Sequence, residues 1–294
     1  MSEARSPVPR HVLVLAHPQV EAGLSEAERV AQFLQRHGVQ VRTGLLNAPW
    51  VRTYVCQQKP DLVIALGGDG TMLRAGHLAA PCGVPILGIN LGRFGFLIEV
   101  QRDEWPQALE RLLRGEYRLE RRMMLQVSLH RGGQTLGPWE VVNEAVVCRG
   151  RSVRPVRLSA YVDGLLLSRY VADGLIIATP TGSTAYALAA GGPILPPELR
   201  NILLVPVAPH LSVDRAVVLA EGSSVKVVPH VDHEVVLSID GQEPEALRPG
   251  DEVHIRAGEH SLLFVRFQGP EYFYRLLTAY MRSHPLVQKL DARA

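Results

Sequence analysis

Asp61-Leu62-Val63-Ile64-Ala65-Leu66-Gly67-Gly68-Asp69-Gly70-Thr71-Met72-Leu73 is the stretch that decides the fold. Residues 62–66 form an unbroken apolar run with no polar face. Such a run predicts a short strand covered on both sides, the environment of a central strand in a parallel sheet. The glycines end the strand, and residues 71–80 read as the helix that follows.

The same alternation extends in both directions. Residues 11–16 read as a buried strand. Ala27, Val30, Ala31 and Leu34 then recur at helical spacing, and Gly38 stops that helix. Residues 39–45 and 84–89 are further strand candidates. A helix capped by Asp103 carries Trp105, Ala108, Leu109, Leu112 and Leu113 on one face. Strand alternating with helix predicts an open, doubly wound, Rossmann-like α/β domain over about residues 1–120. After Arg121 the rhythm changes. Leu158, Ala160 and Val162 alternate with polar or aromatic neighbours, and Asp163-Gly164 follows as a hairpin turn. Short runs at 225–228, 235–239, 253–255 and 262–267 are spaced by turns rich in Gly and Pro. Residues 121–269 therefore predict an antiparallel β domain, interrupted by one helix-like stretch at 184–190. Helical character returns at 272–281, and residues 270–294 are expected to pack back on the first domain.

With 294 residues, 47 % hydrophobic and 20 % charged, the chain has the balance of a folded protein large enough for two domains. A net charge of +2 gives no bulk reason to expect nucleic acid or an anionic membrane as partner. No apolar stretch approaches the ~20 residues of a membrane span, and residues 12–16 are too few for a signal-peptide core. Cys56, Cys82 and Cys148 are far apart, with no short metal or redox spacing. Their sparse, odd number fits a reducing compartment, so a soluble cytoplasmic protein is expected.

The loop Gly67-Gly68-Asp69-Gly70-Thr71 lies at the carboxyl end of a buried strand, where open α/β sheets bind ligands. Its three glycines allow close approach of a ligand and a positive φ. The N–H groups at the start of the next helix favour phosphate. A carboxylate would be repelled by phosphate unless it handles a metal or takes a proton, so Asp69 points to phosphoryl transfer. The same loop also reads as a tight turn with Asp69 as helix N-cap. It is neither a Walker A motif nor a Gly-x-Gly-x-x-Gly fingerprint.

The second informative stretch is Asp173-Gly174-Leu175-Ile176-Ile177-Ala178-Thr179-Pro180-Thr181-Gly182-Ser183-Thr184-Ala185-Tyr186. An apolar strand runs into a turn carrying four hydroxyls around one glycine, with Tyr186 offering a flat face for a purine. Helix capping by Ser183 or Thr184 accounts for one hydroxyl but not four, so a binding role is expected here.

Taken with Asn143-Glu144, these motifs resemble the NAD kinase family, in order and approximate spacing, from about Val12 to Phe267. The glycine loop alone is shared with diacylglycerol and sphingosine kinases. The Thr-Pro-Thr-Gly-Ser-Thr-Ala-Tyr run is far more specific. The resemblance implies transfer of the terminal phosphate of ATP to the 2′-hydroxyl of the adenosine ribose of NAD, giving NADP. It implies Asp69 as the general base, with Gly67, Gly68, Gly70 and Thr71 as the phosphate loop. Gly70 and Arg74 would contact the nucleotide, and Asn143 and Glu144 would hold its base and ribose. Asp173, Thr184, Ala185, Tyr186, Ala187, Leu188 and Ala189 would complete the dinucleotide pocket. Arg154, Ala208 and Gln242 occupy further contact positions. The active site is expected between the two domains. Mg2+ or another divalent ion would bridge the donor phosphates, and a homodimer or homotetramer is implied. Val171 stands where many relatives carry a polar residue. Period-two geometry from Asp173 would place it in the same pocket; the alternative is that it packs into the β core and touches no ligand.

Overall fold

The computed structural model describes residues 6–20, 22–92, 95–210 and 214–283. The chain divides into two units: unit 1, Met1–Glu120 with Leu263–Ala294, and unit 2, Arg121–Leu262.

In unit 1, β1 (His11–Ala16), β2 (Gln40–Leu45), β3 (Leu62–Gly67) and β4 (Ile86–Asn90) alternate with α1 (Gly23–Arg36), α2 (Trp50–Gln58) and α3 (Asp69–Ala79). The strands are parallel, in the spatial order β2-β1-β3-β4, and β5 (Val100–Gln101) adds beside β4. All six residues of β3 are buried, which is why its sequence is uniformly apolar. Val12, Val14, Leu62, Ile64 and Leu66 share one face with Ala27, Val30 and Leu34 of α1. Trp105, Leu109 and Leu112 of α4 (Trp105–Leu113) join the same cluster. On the other face, a Cβ at Gly88 of β4 would lie 2.7 Å from the Met72 sulfur, so α3 packs there against the bare glycine. The sheet is covered on both sides, a doubly wound arrangement.

Three local features differ from the sequence reading. α2 has no expected counterpart: only Val51 and Val55 are buried, too sparse a stripe to register as a helical period. α3 begins at Asp69 rather than Thr71, with Gly68 as N-cap. α4 is preceded by Glu104, not Asp103, at the N-cap position. Cys56 and Cys82 are joined in a disulfide with Cα atoms 5.1 Å apart, a pairing that 26 residues of separation conceal.

Unit 2 is built from two antiparallel sheets. The chain enters it within β6 (Arg118–Arg131) and leaves within β17 (Glu252–Arg266). The first sheet includes β6, β7 (Gln134–Val141), β9 (Val156–Val162), β10 (Leu165–Ala172), β14 (Val225–His230) and β17. The second has the order β13-β12-β11-β8-β15-β16. Its strands are β8 (Glu144–Arg149), β11 (Gly174–Ala178), β12 (Asn201–Val207), β13 (Val217–Ala220), β15 (Val235–Ile239) and β16 (Glu245–Leu247). Leu125, Leu158 and Val227 of the first sheet share a core with Val147, Leu175, Leu204 and Leu237 of the second. The far face of the second sheet, with Ile176 and Leu203, is covered by Ala187 of α5 (Tyr186–Ala189). The β9–β10 hairpin turns at Asp163 (φ 50°) and Gly164 (φ 83°), the paired positive φ of a type I′ turn. Gly132 and Gly133 do the same between β6 and β7.

The last helix, α6 (Tyr272–Ser283), sets Tyr280 against Phe96 with ring centroids 5.3 Å apart. Residues 284–294 lie outside the described residues.

Candidate active site

The β3–α3 turn is assembled by contacts within itself. A Cβ at Gly67 would lie 2.1 Å from Thr71 Oγ1, so only glycine lets the turn close on the threonine. Thr71 Oγ1 accepts the Gly68 N–H at 3.2 Å, which secures the helix start. None of Gly67, Gly68 or Gly70 has a positive φ. The expected left-handed backbone is absent because the chain goes from extended Gly68 (φ −110°, ψ −169°) directly into α3. The glycines serve close approach instead. A Cβ on Gly68 or Gly70 would meet nothing within 4 Å, so their faces are open.

Asp69 is the first residue of α3, so its carboxylate caps nothing as an N-cap. It accepts the Phe96 N–H at 2.8 Å and the Leu97 N–H at 3.1 Å. A Cβ at Gly95 would fall 2.3 Å from the carboxylate. Gly95 is therefore required for the segment after β4 to close over Asp69, a role with no signal in the local sequence. Arg74, one turn into α3, is exposed. It lies near His17, whose pKa is lowered by burial and then by the Arg74 charge.

In unit 2, Asn143-Glu144 leads into β8. Asn143 and Gly182 are in backbone contact: a Cβ on Gly182 would lie 2.2 Å from the Asn143 carbonyl oxygen. Thr179 N–H donates to that carbonyl at 2.9 Å, and Thr179 Oγ1 donates to Val142 O at 2.6 Å. Ser183 Oγ binds Pro180 O and Leu195, and Thr184 Oγ1 donates to Thr181 O. Three of the four hydroxyls thus hold the turn together by backbone bonds, contrary to the expectation that capping accounts for one. The fourth, Thr181 Oγ1, is buried with no partner. The expected helix at 184–190 is a 3-10 turn at Thr181–Thr184, a break at Ala185, and the single turn of α5.

Asn143 Oδ1 and Glu144 Oε2 are likewise buried without partners. The Tyr186 N–H donates to the Glu144 carboxyl. Burial, and then the nearby negative charge of Asp240, push Glu144 up to about 8. Buried polar atoms are nearly always hydrogen-bonded, so three unpartnered oxygens at one corner mark a place that a polar ligand would complete. Nothing local to Asn143-Glu144 in sequence points to Asp240, whose role appears only in the structure.

Asp173 is paired with Arg149 at 3.1 Å, and both charges act on the Tyr186 phenol, which burial first pushes up. Ala185, Leu188 and Ala189 flank Tyr186 on α5 and its approach, with Ala187 turned into the core. Ala208 follows β12 with φ 44°. Gln242 sits two residues beyond Asp240, its N–H on Ile239 O. Arg154 is on an exposed loop, its carbonyl 3.2 Å from His233 Nε2. Val171 is half-buried near the end of β10, paired with Arg157. β10 stops at Ala172, while Asp173 bonds through its backbone to Arg149 and Val207 in the other sheet. The period-two link between Val171 and Asp173 therefore breaks where the chain changes sheets. A cavity of about 780 Å3 in unit 1, lined by Arg111, Tyr117, Arg118 and Phe267, contains none of these residues.

Comparison with known proteins bears on the same chain. The model of the ATP-NAD kinase N-terminal domain matches residues 50–117, and that of the ATP-NAD kinase C-terminal domain matches residues 142–267. The NAD kinase of Polaromonas naphthalenivorans is 38 % identical over 272 residues, covering 90 % of this chain and 94 % of that one. The NAD kinase of Heliobacterium modesticaldum is 42 % identical over 267 residues, covering 88 % and 94 %. Among solved structures, an NAD kinase from Archaeoglobus fulgidus in complex with ATP aligns with a TM-score of 0.74 at 25 % identity, covering 91 % of this chain and 97 % of that one. Yeast NADH kinase complexed with NADH shares the fold, with a TM-score of 0.80 at 24 % identity over 94 % and 89 % of the chains. Matched in both of its domains, and related over nine-tenths of its length, the chain belongs to the NAD kinase family, which phosphorylates NAD to NADP at the expense of ATP.

Proposed function

We propose that this chain moves the terminal phosphate of ATP to the 2′-hydroxyl of the adenosine ribose of NAD. The ribose oxygen forms the new bond to phosphorus, the bond from that phosphorus to the bridging oxygen breaks, and ADP leaves. The hydroxyl proton passes to Asp69. Two backbone N–H groups already hold that carboxylate in place, and an ionised carboxylate, with about four lone-pair sites, can take the proton of a hydroxyl brought against it. Gly68 and Gly70 leave the start of α3 open, with Gly67 closed on the buried Thr71 beside them, and the N–H groups there favour phosphate. Arg74 supplies charge for a pyrophosphate.

The observation that carries this reading is the corner where Asn143 Oδ1, Glu144 Oε2 and Thr181 Oγ1 are buried and unpartnered. Three acceptor oxygens suit the amino and hydroxyl donors of an adenosine. Tyr186, 45 % exposed beside them, offers its ring to the base. Asp173, Thr184, Ala185, Ala187, Leu188, Ala189, Arg154, Ala208 and Gln242 complete the proposed acceptor set.

A divalent ion, Mg2+ in our reading, belongs to the same proposal. Among the described residues no three His, Cys, Asp or Glu side chains are grouped to hold a metal. This fits an ion carried mainly by the donor phosphates rather than by a protein cage. When bound, it offsets the charge of the phosphate oxygens. We also propose a cytoplasmic homo-oligomer. Supporting association, Leu165, Leu166 and Leu167 are exposed on β10, which among the described residues pairs with β9 alone. None of the described helices is long and apolar enough to cross a membrane.

The test is product identity. Purified protein with NAD, ATP and Mg2+ should yield ADP and NADP, with a 2′-phosphate monoester in the phosphorus NMR spectrum. A 3′-phosphate, or ADP released without NADP, overturns the assignment.

A further inference from the structure

Asp240 follows β15 in a left-handed conformation, φ 46°, which side-chain-bearing residues rarely adopt. Its carboxylate accepts three consecutive backbone N–H groups. Val142 N–H donates to Oδ2 at 2.7 Å, Asn143 N–H to Oδ1 at 2.8 Å, and Glu144 N–H to Oδ1 at 2.9 Å. The Asp240 N–H in turn donates to the Glu144 carbonyl at 3.0 Å. Thr179 holds the carbonyls of the same segment, Val142 O through its hydroxyl and Asn143 O through its N–H. The backbone of residues 142–144 is thus gripped on both its N–H and its C=O groups.

This grip falls on the two residues whose side-chain oxygens are buried and unpartnered. A neutral acceptor would hold the same N–H groups without placing a negative charge beside the buried Glu144 carboxyl. The carboxylate instead makes charge-assisted bonds, which are stronger and more directional. A residue in an unfavourable backbone region, carrying an avoidable charge, suits a part of the chain kept for its effect on a site.

We propose that Asp240 is a positioning residue for the NAD-binding step: it fixes residues 142–144 so that Asn143 and Glu144 present their oxygens to the acceptor. This rests on the assignment of Asn143 and Glu144 to NAD. Asp240 touches no reacting atom.

Asp240→Gly separates the carboxylate from the backbone. Glycine accepts the left-handed conformation without strain and keeps the N–H bond to Glu144 O, so only the carboxylate is lost. Asp240→Asn, which keeps one acceptor oxygen, is the conservative companion. In Asp240→Gly, amide exchange at Val142, Asn143 and Glu144 in the ligand-free protein should accelerate. The KM for NAD should rise roughly tenfold or more, the effect of losing a charged hydrogen bond, while kcat falls less and the KM for ATP stays within about twofold. Asp240→Asn should fall between wild type and Asp240→Gly. Unchanged exchange protection in Asp240→Gly overturns the clamp. Faster exchange with an unmoved KM for NAD, or with equal rises for NAD and ATP, overturns its role in positioning. Asn143→Ala is the control on the underlying assignment. If it leaves the KM for NAD unmoved, the acceptor reading fails, a result distinct from the exchange measurement, which needs no substrate.

Discussion

In unit 1 the Asp69 carboxylate accepts two backbone N–H groups, whereas in unit 2 the Glu144 carboxyl is buried with one oxygen unpaired. In the proposed mechanism the two carboxyl groups have different tasks. Asp69 is held by backbone and sits beside the open faces of Gly68 and Gly70. In the proposed mechanism this is the group that receives the proton. The Glu144 corner keeps unsatisfied polar atoms out of water, an unfavourable state that a bound ligand would relieve. The proposed base and the incomplete pocket together fit what a kinase needs: little covalent chemistry from the protein, and tight control of position.

The largest effect should come from removing the base. Asp69→Asn should lower kcat by ~10²–10⁴-fold, the usual range for loss of a general base, while the dissociation constant for NAD changes little. Retention of most of kcat would break the contrast by making Asp69 a structural acceptor of Phe96 and Leu97. Thermal unfolding of the variant checks that those two bonds are not the cause.

Glu144→Gln should act on binding instead. The KM for NAD should rise by about tenfold, more than kcat falls, with the KM for ATP little changed. The same variant carries a pH signature. Below pH 4.5 Glu144 is protonated in both folded and unfolded chains, and between 4.5 and about 8 only the unfolded chain ionises. Stability of the ligand-free protein therefore declines with rising pH across that window, and glutamine removes this contribution. The Tm of Glu144→Gln relative to wild type should be lowest near pH 4.5 and increase up to about pH 8. A difference independent of pH would mean that Glu144 ionises freely in the folded protein.

Gly182→Ala sharpens the comparison from the packing side. The new methyl would lie 2.2 Å from Asn143 O, so the hydroxyl-bearing turn must move from the corner. We expect a loss of about 1–3 kcal/mol in urea unfolding, with a raised KM for NAD. Normal stability with normal kinetics would show that the two segments need not touch.

Val171→Arg should have the smallest effect. If half-buried Val171 nevertheless lies by the nicotinamide ring, it offers no charge with which to sense it, and NADH should be phosphorylated, more slowly than NAD. Apolar contacts separate close analogues by only ~10–200-fold. The variant should change the NAD/NADH ratio of kcat/KM. An unchanged ratio in the folded variant places Val171 away from the acceptor.

Local sequence determined the elements whose environment is uniform along the chain. Residues 62–66 are apolar throughout because β3 is covered on both faces, and that alone announces a central parallel strand. The helical stripe Ala27, Val30, Ala31 and Leu34 and the turn Asp163-Gly164 were legible for the same reason: period and turn chemistry are properties of neighbouring residues. The glycine loop and the Asn143-Glu144 and Thr179–Tyr186 motifs carried enough residue-type information to identify the kinase family. Tertiary structure decided what depends on distant partners. Asp240 meets Val142 across 98 positions, and Cys56 meets Cys82 across 26. Gly95 matters because the Asp69 carboxylate lies against it, and three of the four hydroxyls donate to backbone carbonyls of other residues. The period-two link from Asp173 to Val171 is interrupted because the chain leaves one sheet for the other between them. Hydrogen bonds and close packing are made between surfaces that folding brings together. The residues on each side carry the chemistry, while their pairing exists only once the chain has folded.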